Sequence, residues 1–265
     1  MIILSSNHTK LMPTPVQIAD YKKISFSAPI RTGQTLHHDV YIRGAGSKVL
    51  VLIQELPGIG QETLALADQF VDQGYIVYLP HLFGPLGKTS MVGNTVRVLC
   101  MRKEFSLFSA NASSPIVDWL KALCIKVKAD NGVKGVATIG MCLTGTFALA
   151  LMADDSVLAS YASQPALPIF NQKGLHLSEE EIDRIKLKLD DLEPMHCARF
   201  KKDKLCTKAK FEAIDLHFNQ DKQRVKLHEI PGKGHSVFTL DFDKGNGQPQ
   251  AILQEVMAYF DRSLS

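Results

Sequence analysis

The sequence predicts an α/β protein with a mostly parallel central sheet and helices on both of its faces. Three observations carry this. Short apolar stretches such as 48–54 (KVLVLIQ) read as strands buried on both sides. Stretches of helical period, with apolar residues three and four apart, lie between them. The two kinds alternate along most of the chain, with no repeat or low-complexity tract to divide it. A length of 265 residues is one that α/β enzymes use as one domain, so a single domain is expected over 1–265.

The elements follow in order. Residues 1–20 are polar and Pro-containing and read as an N-terminal arm. Residues 21–30 and 37–43 read as strands, the second closed by Gly44 and Gly46. After the strand 48–54 comes a helix over 61–73, with Leu64, Ala67, Phe70 and Val71 as its apolar stripe and Gly74 as its stop. Residues 75–79 form the next strand, 80–94 a Gly- and Pro-rich loop, and 95–109 a weakly patterned helix. Ser114-Pro115 opens a better helix, Ser as N-cap and Pro at the first position, with Ile116, Trp119, Leu120, Leu123 and Val127 on one side. Strand 133–139, helix 144–152 and strand 157–162 come next. Ser178 and Glu181 form a capping box that starts a helix with Ile182, Ile185 and Leu189 inward. Strands 195–200 and 225–230 enclose a helix over 207–218, and an amphipathic helix over about 249–260 ends the chain. The long segment 164–192 reads either as a cap over the sheet edge or as an ordinary crossover.

Composition narrows the function. Hydrophobic residues at 45% and charged residues at 22% exclude a disordered or collagen-like chain. Lys+Arg 30 against Asp+Glu 27 leaves +3, too little to make nucleic acid the main partner. The cysteines, Cys100, Cys124, Cys142, Cys197 and Cys206, are odd in number and show no Cys-x-x-Cys spacing. Neither a disulfide framework nor a cysteine zinc site is expected, and a reducing cytoplasm fits best. The N-terminus MIILSSNHTK lacks the basic region and long apolar run of a signal peptide. Residues 135–153 are uncharged and long enough to span a membrane, but Gly140 and Gly145 split the run into a strand, a tight turn and a buried helix. No membrane partner is expected.

In open parallel sheets, sites lie outside the carboxyl ends of the strands, and four segments put chemistry there. Gly140-Met-Cys142-Leu-Thr144-Gly145 runs from a strand into a helix. This is the form of a nucleophile elbow, with small residues for the sharp turn and a helix N-terminus that favours a thiolate. Thr144 stands where a strict motif has Gly, and a plain buried cysteine in a glycine-rich turn is the competing reading. Gly234-His235-Ser236 follows the last strand, where an imidazole acts as general base if it reaches the nucleophile. The competing reading is an exposed loop histidine. His196, His217 and His228 lie inside regular elements and read as structural or surface residues. Asp203 follows the strand 195–200 and suits an acid that orients the histidine, whereas its competitors Asp190 and Asp191 precede that strand. Glu55 ends the strand 48–54 before Pro57-Gly58. It reads either as a plain strand-ending charge or as a carboxylate facing the thiol, with the Leu56 and Leu143 backbone N–H groups as oxyanion donors.

The stretches VLIQELPGIG, TIGMCLTG, RFKKDKLC and IPGKGHSVF, in that order over about residues 25–262, resemble the dienelactone hydrolase family of α/β-hydrolases. The resemblance implies the α/β-hydrolase fold and a triad of Cys142 as nucleophile, His235 as base and Asp203 as orienter. Glu55 would be a switch that receives the thiol proton, and Leu56 and Leu143 would hold the oxyanion. It also implies that dienelactone-specific members carry an arginine after the strand ending here at Pro80 and another after the catalytic histidine. HLFGPLG and SVFTLDF stand in those places, without arginine. Six basic residues between Arg199 and Lys210 offer another attraction for an anion, against the plainer reading of a solvated surface.

The expected function is hydrolysis of small carboxylic esters or lactones through a thioester acyl-enzyme, by a monomer or homodimer. No metal or organic cofactor is expected, for neither a P-loop nor a dinucleotide-binding glycine pattern occurs. The alternatives are a non-catalytic binding protein on the same scaffold and a thiol redox sensor using Cys142 or Cys206.

Overall fold

The computed structural model of the protein describes residues 17–56, 58–84, 86, 112–168 and 170–265. Eight strands form one sheet: β1 (Lys22–Pro29), β2 (Thr35–Arg43), β3 (Lys48–Ile53), β4 (Tyr75–Pro80), β5 (Val136–Met141), β6 (Val157–Ser163), β7 (Met195–Phe200) and β8 (Val225–Ile230). Their order across the sheet is β1-β2-β4-β3-β5-β6-β7-β8. The pairs β1/β2 and β2/β4 are antiparallel, and every other pair is parallel. Between them run α1 (Gln61–Asp72), α2 (Ile116–Asn131), α3 (Leu143–Leu151), α4 (Glu179–Asp191), α5 (Lys208–Phe218) and α6 (Gln248–Ser263).

The alternation of side chains along β3 shows why the strand is apolar throughout. Val49, Val51 and Ile53 point into one core with Trp119 of α2, Phe147 of α3, Ile185 of α4 and Phe211 of α5. Leu50 and Leu52 point into a second core with Phe70 of α1 and Val256 and Phe260 of α6. A helix layer therefore covers each face, and a strand between two such layers is apolar at nearly every position. A mostly parallel sheet between two helix layers is the α/β-hydrolase architecture, as the sequence predicts. Residues 164–192 run from β6 through α4 to its parallel neighbour β7, with Ile182, Ile185 and Leu189 packed in the first layer.

Most elements form where the periodicity places them, and β7 and β8 match to the residue. The Ser178 capping box forms: its hydroxyl accepts from Glu181 N–H at 3.1 Å, and the Glu181 carboxylate accepts from Ser178 N–H at 3.0 Å. Several boundaries differ by one to three residues, those around β5 and α2 among them. β5 starts at Val136, not 133, because Gly132 ends α2 in a left-handed turn at φ 62 that the chain must leave before extending. β5 then runs on to Met141, and α3 begins at Leu143, so one residue alone turns the strand into the helix. Helix α2 begins at Ile116 with Pro115 in its cap position, and the Ser114 hydroxyl meets Nε2 of His176 at 2.7 Å. The uncharged run 135–153 is this strand, turn and helix, and no described helix is long and apolar enough to cross a membrane. Residues 1–16 of the expected arm, most of the loop 80–94 and the expected helix 95–109 lie outside the described residues.

The β5–α3 crossing leaves no room at Gly140. A Cβ built there would stand 2.0 Å from the Thr144 carbonyl oxygen, an atom of rigid helix backbone. Gly140→Ala is expected to cost several kcal/mol, beyond the ~1–3 kcal/mol usual for overpacking. By contrast, Gly33→Ala meets nothing within 4 Å and pays only for its positive φ, about 1 kcal/mol. Urea unfolding of both variants checks the difference.

Candidate active site

Cys142 is the single residue between β5 and α3, and its backbone stands at φ 60, ψ −122. A non-glycine residue there is strained, and the surroundings hold it in place. Cys142 N–H donates to Ser163 O at 3.1 Å, and its carbonyl accepts from Gly145 N–H at 3.1 Å and Ala166 N–H at 3.0 Å. Thr144 adds a fourth tie. Its hydroxyl accepts from Met141 N–H at 2.9 Å and faces the carbonyls of Gln54 at 2.9 Å and Met141 at 2.9 Å. The residue that departs from the strict elbow pattern thus fastens the elbow to the end of β3, and a glycine could not do so. Cys142 itself is buried, 6% exposed. Leu143 opens α3, so its N–H is one that a helix N-terminus leaves without an intrahelical partner.

Asp203 follows the end of β7 and His235 the end of β8. The chain turns directly after β7, with Asp203 N–H on the Phe200 carbonyl at 3.0 Å. One Asp203 oxygen accepts from Leu205 N–H at 2.8 Å and Cys206 N–H at 3.1 Å, and the other stands 2.8 Å from His235 Nδ1. The carboxylate is thus fixed by two backbone amides before it meets the ring. The histidine loop has its own anchor: Asp241 Oδ2 accepts from His235 N–H at 2.6 Å and Ser236 N–H at 3.1 Å, and Lys244 pairs with the other Asp241 oxygen. His235 Nε2 is buried and has no hydrogen-bond partner of good geometry among the described residues. Burial works against the imidazolium, but the interaction with Cys142 and the hydrogen bond to Asp203 outweigh it and push the histidine up to about 11.

Glu55 follows β3 at the same edge and is almost fully buried. Ser236 Oγ donates to Oε2 at 3.0 Å, Gln164 Nε2 donates to Oε2 at 3.1 Å, and Thr239 Oγ1 donates to Oε1. None of these bonds, among the described residues, reaches Cys142. The carboxylate is instead roped to the histidine loop and to the end of β6. Burial raises its pKa above the usual carboxylate range, against the opposing pull of Thr239, Ser236, His235 and Gln164. Gln54, the residue before it, fixes the loop after β4 by donating to Phe83 O at 2.6 Å and accepting from Leu82 N–H at 3.2 Å. Leu56 turns the chain next.

Gln164, Ser236, Thr239 and Asp241 are site residues that sequence reasoning missed. One signal could have found Gln164: like Gln54, it is a polar residue directly after an apolar parallel strand. Of the six basic residues near Asp203, Arg199 is buried against Glu229, Lys208 pairs with Glu212 at 2.8 Å, and Lys210 donates to Leu167 O at 2.6 Å. Lys202 and Lys204, with Lys233 and Lys244, line a hollow of about 400 Å³ beside Asp203 and His235. His196 and His228 lie away from this edge. Burial first, and for His196 its neighbour His228 next, hold them below the usual histidine range.

A thiol at a strained turn, an imidazole fixed by a carboxylate and a second buried carboxylate together can support acyl transfer. Solved structures of the same fold include a dienelactone hydrolase-like promiscuous phosphotriesterase from metagenomic libraries, 13% identical, covering 92% of this chain and 99% of that one at TM-score 0.65. A putative dienelactone hydrolase from Klebsiella pneumoniae is 14% identical, covering 91% and 99% at TM-score 0.61. A structure described as m3DLH is 17% identical, covering 93% and 100% at TM-score 0.63. A search of curated proteins finds no match. At these identities the structural likeness carries the fold alone. The sequence model of the dienelactone hydrolase family, however, matches residues 40–258, and the chain belongs to that family.

Proposed function

We propose that the protein hydrolyses small carboxylic esters or lactones, with Cys142 as nucleophile, His235 as acid and base, and Asp203 as its orienter. The observation that carries this is the pairing of a thiol on a strained elbow with an imidazole held to Asp203 at 2.8 Å. The raised pKa of His235 favours its imidazolium, which stabilises the Cys142 thiolate once the thiol proton has passed to Glu55. The thiolate attacks the carbonyl carbon, and the carbonyl oxygen takes the negative charge. Leu56 and Leu143 N–H groups receive that oxyanion. His235 gives its proton to the departing alkoxide, which in a lactone stays attached as a hydroxyacyl chain. Water then attacks the thioester while His235 takes its proton, and the acid leaves as the thiolate re-forms. The lysines around the neighbouring hollow supply positive potential for an anionic substrate in place of the absent arginines.

Glu55 serves in this scheme as the proton switch. Its oxygens are held by three side-chain donors, so receiving the thiol proton requires release of at least one of them.

Turnover of an activated ester and a simple lactone should fall at least about 10³-fold in Cys142→Ala and His235→Gln, with the circular dichroism spectrum unchanged. Full activity in Cys142→Ala would remove the nucleophile assignment. Rapid-quench mass spectrometry of the wild type should find the acyl group on Cys142. Asp203→Asn should lose about 10²–10⁴-fold in kcat while KM changes little.

Glu55 also predicts a pH dependence of stability. Its folded pKa lies above the unfolded value, so the folded state binds the extra proton. The stability this gives is full below the unfolded pKa of about 4.3 and is lost as pH rises through the folded pKa. Relative to Glu55→Gln, the wild type should therefore weaken between those two values, by about 1.4 kcal/mol for each step of one in pH. Urea midpoints of both proteins from pH 4 upward check the sign; a wild type that gains on the variant would overturn it.

A further inference from the structure

We propose that His196, His228 and Glu255 form a binding site for one divalent transition-metal ion of the zinc type, remote from the catalytic edge. His196 stands near the start of β7, at the opposite end of that strand from Asp203. In the β7/β8 register Ala198 faces His228 and His196 faces Lys226, so the two histidines lie diagonally on one face of the sheet. Glu255 reaches them from α6, and the three ligand atoms all lie within 4.8 Å of one another.

The fine geometry fits a shared ion. His196 Nδ1 and His228 Nε2 are 3.2 Å apart. Two nitrogens on a tetrahedral zinc, each about 2.0–2.1 Å from it, lie about 3.4 Å from one another. The His196 ring is also fixed in plane: it stacks on Tyr259 with centroids 4.8 Å apart and 10° between planes. Tyr259 is in turn held by Ser160 N–H, which donates to its hydroxyl at 3.3 Å. Tyr259 follows Glu255 by four residues, so one face of α6 brings both the carboxylate and the ring's support. Residues from two strands and a helix thus converge before any ion arrives. His196 is buried, whereas His228 and Glu255 are half-exposed and leave an approach from solvent.

Without metal, an N–H of one imidazole points at the other ring's nitrogen. When the ion binds, that proton moves to the far nitrogen of its own ring, and both facing nitrogens offer lone pairs. Glu255 also carries an ion pair with Lys226, whose side chains are 38% and 46% exposed, and a pair that open yields at little cost. Water completes the fourth position. Such an ion would join β7, β8 and α6, and its effect would be on stability rather than on bond cleavage.

The test is calorimetric titration of the full chain with zinc chloride, in wild type and in Cys142→Ala so that the active-site thiol cannot contribute. One equivalent should bind in Cys142→Ala and raise its melting temperature. Adding His228→Gln or Glu255→Gln should weaken binding by more than about 10-fold and abolish the thermal gain. Both altered side chains are half-exposed, and circular dichroism checks that the variants fold. Lys226→Met should tighten binding about two- to fivefold by freeing Glu255. Cobalt in place of zinc should give a visible ligand-field band without sulfur-to-metal charge transfer. Absence of binding at millimolar zinc, or binding unaffected by both His228→Gln and Glu255→Gln, would overturn the proposal.

Discussion

The turn at Cys142 is the constraint on which the rest of the site depends. A side chain at φ 60 costs ~1–3 kcal/mol of backbone strain and persists only where the surroundings over-determine it. Here they do so from three sides. Gly140 admits the helix backbone, Ser163 and Ala166 grip the Cys142 peptide groups from the end of β6, and Thr144 ties the turn to the end of β3. The thiol's position is therefore set by three neighbouring strands at once. The segments carrying Glu55 and Gln164 leave from two of those same strand ends, so the polar groups inherit their alignment from the elbow.

Two titratable groups near the thiol are displaced in the same direction for opposite reasons. At His235 burial opposes the protonated form and the interactions with Cys142 and Asp203 overcome it, whereas at Glu55 burial favours the protonated form and overcomes the hydrogen-bond donors. The region thus holds protons more tightly than the same groups would in water. Ser236 links the two, since it neighbours His235 in the chain and donates to Glu55. A change of charge on either side chain is felt by the loop that carries the other.

How much of this was legible in the sequence follows from the range of each interaction. β7 and β8 could be bounded to the residue because charges and turn residues flank them, Glu193-Pro194 and Lys201-Lys202 around β7, Arg224 and Pro231-Gly232 around β8. The elbow was legible because strand, small residues and helix are contiguous. Thr144 was readable only as a defect, since its hydroxyl acts on carbonyls 90 and 91 positions earlier in the chain. Glu55 was visible as a charge at a strand end, but its donors lie 109, 181 and 184 residues away, beyond any local pattern. The neighbourhood of His196 and His228 was equally hidden, because a cross-strand diagonal leaves no mark in linear spacing. The elements set by hydrophobic period were thus open to reading, and the polar contacts between distant loop ends were not.

β8 is the last strand of the sheet, paired on one side only, with its interior residues largely half-exposed or exposed. Such a border strand opens at lower free energy than the centre of the sheet. The imidazole rides on the loop that leaves this strand, whereas the sulfur sits on the turn after β5, a strand in the middle of the sheet. Fraying at the margin would part the imidazole from the thiol while both hydrophobic layers stay intact. Warming should therefore silence the protein before it melts, and cooling should restore it without refolding.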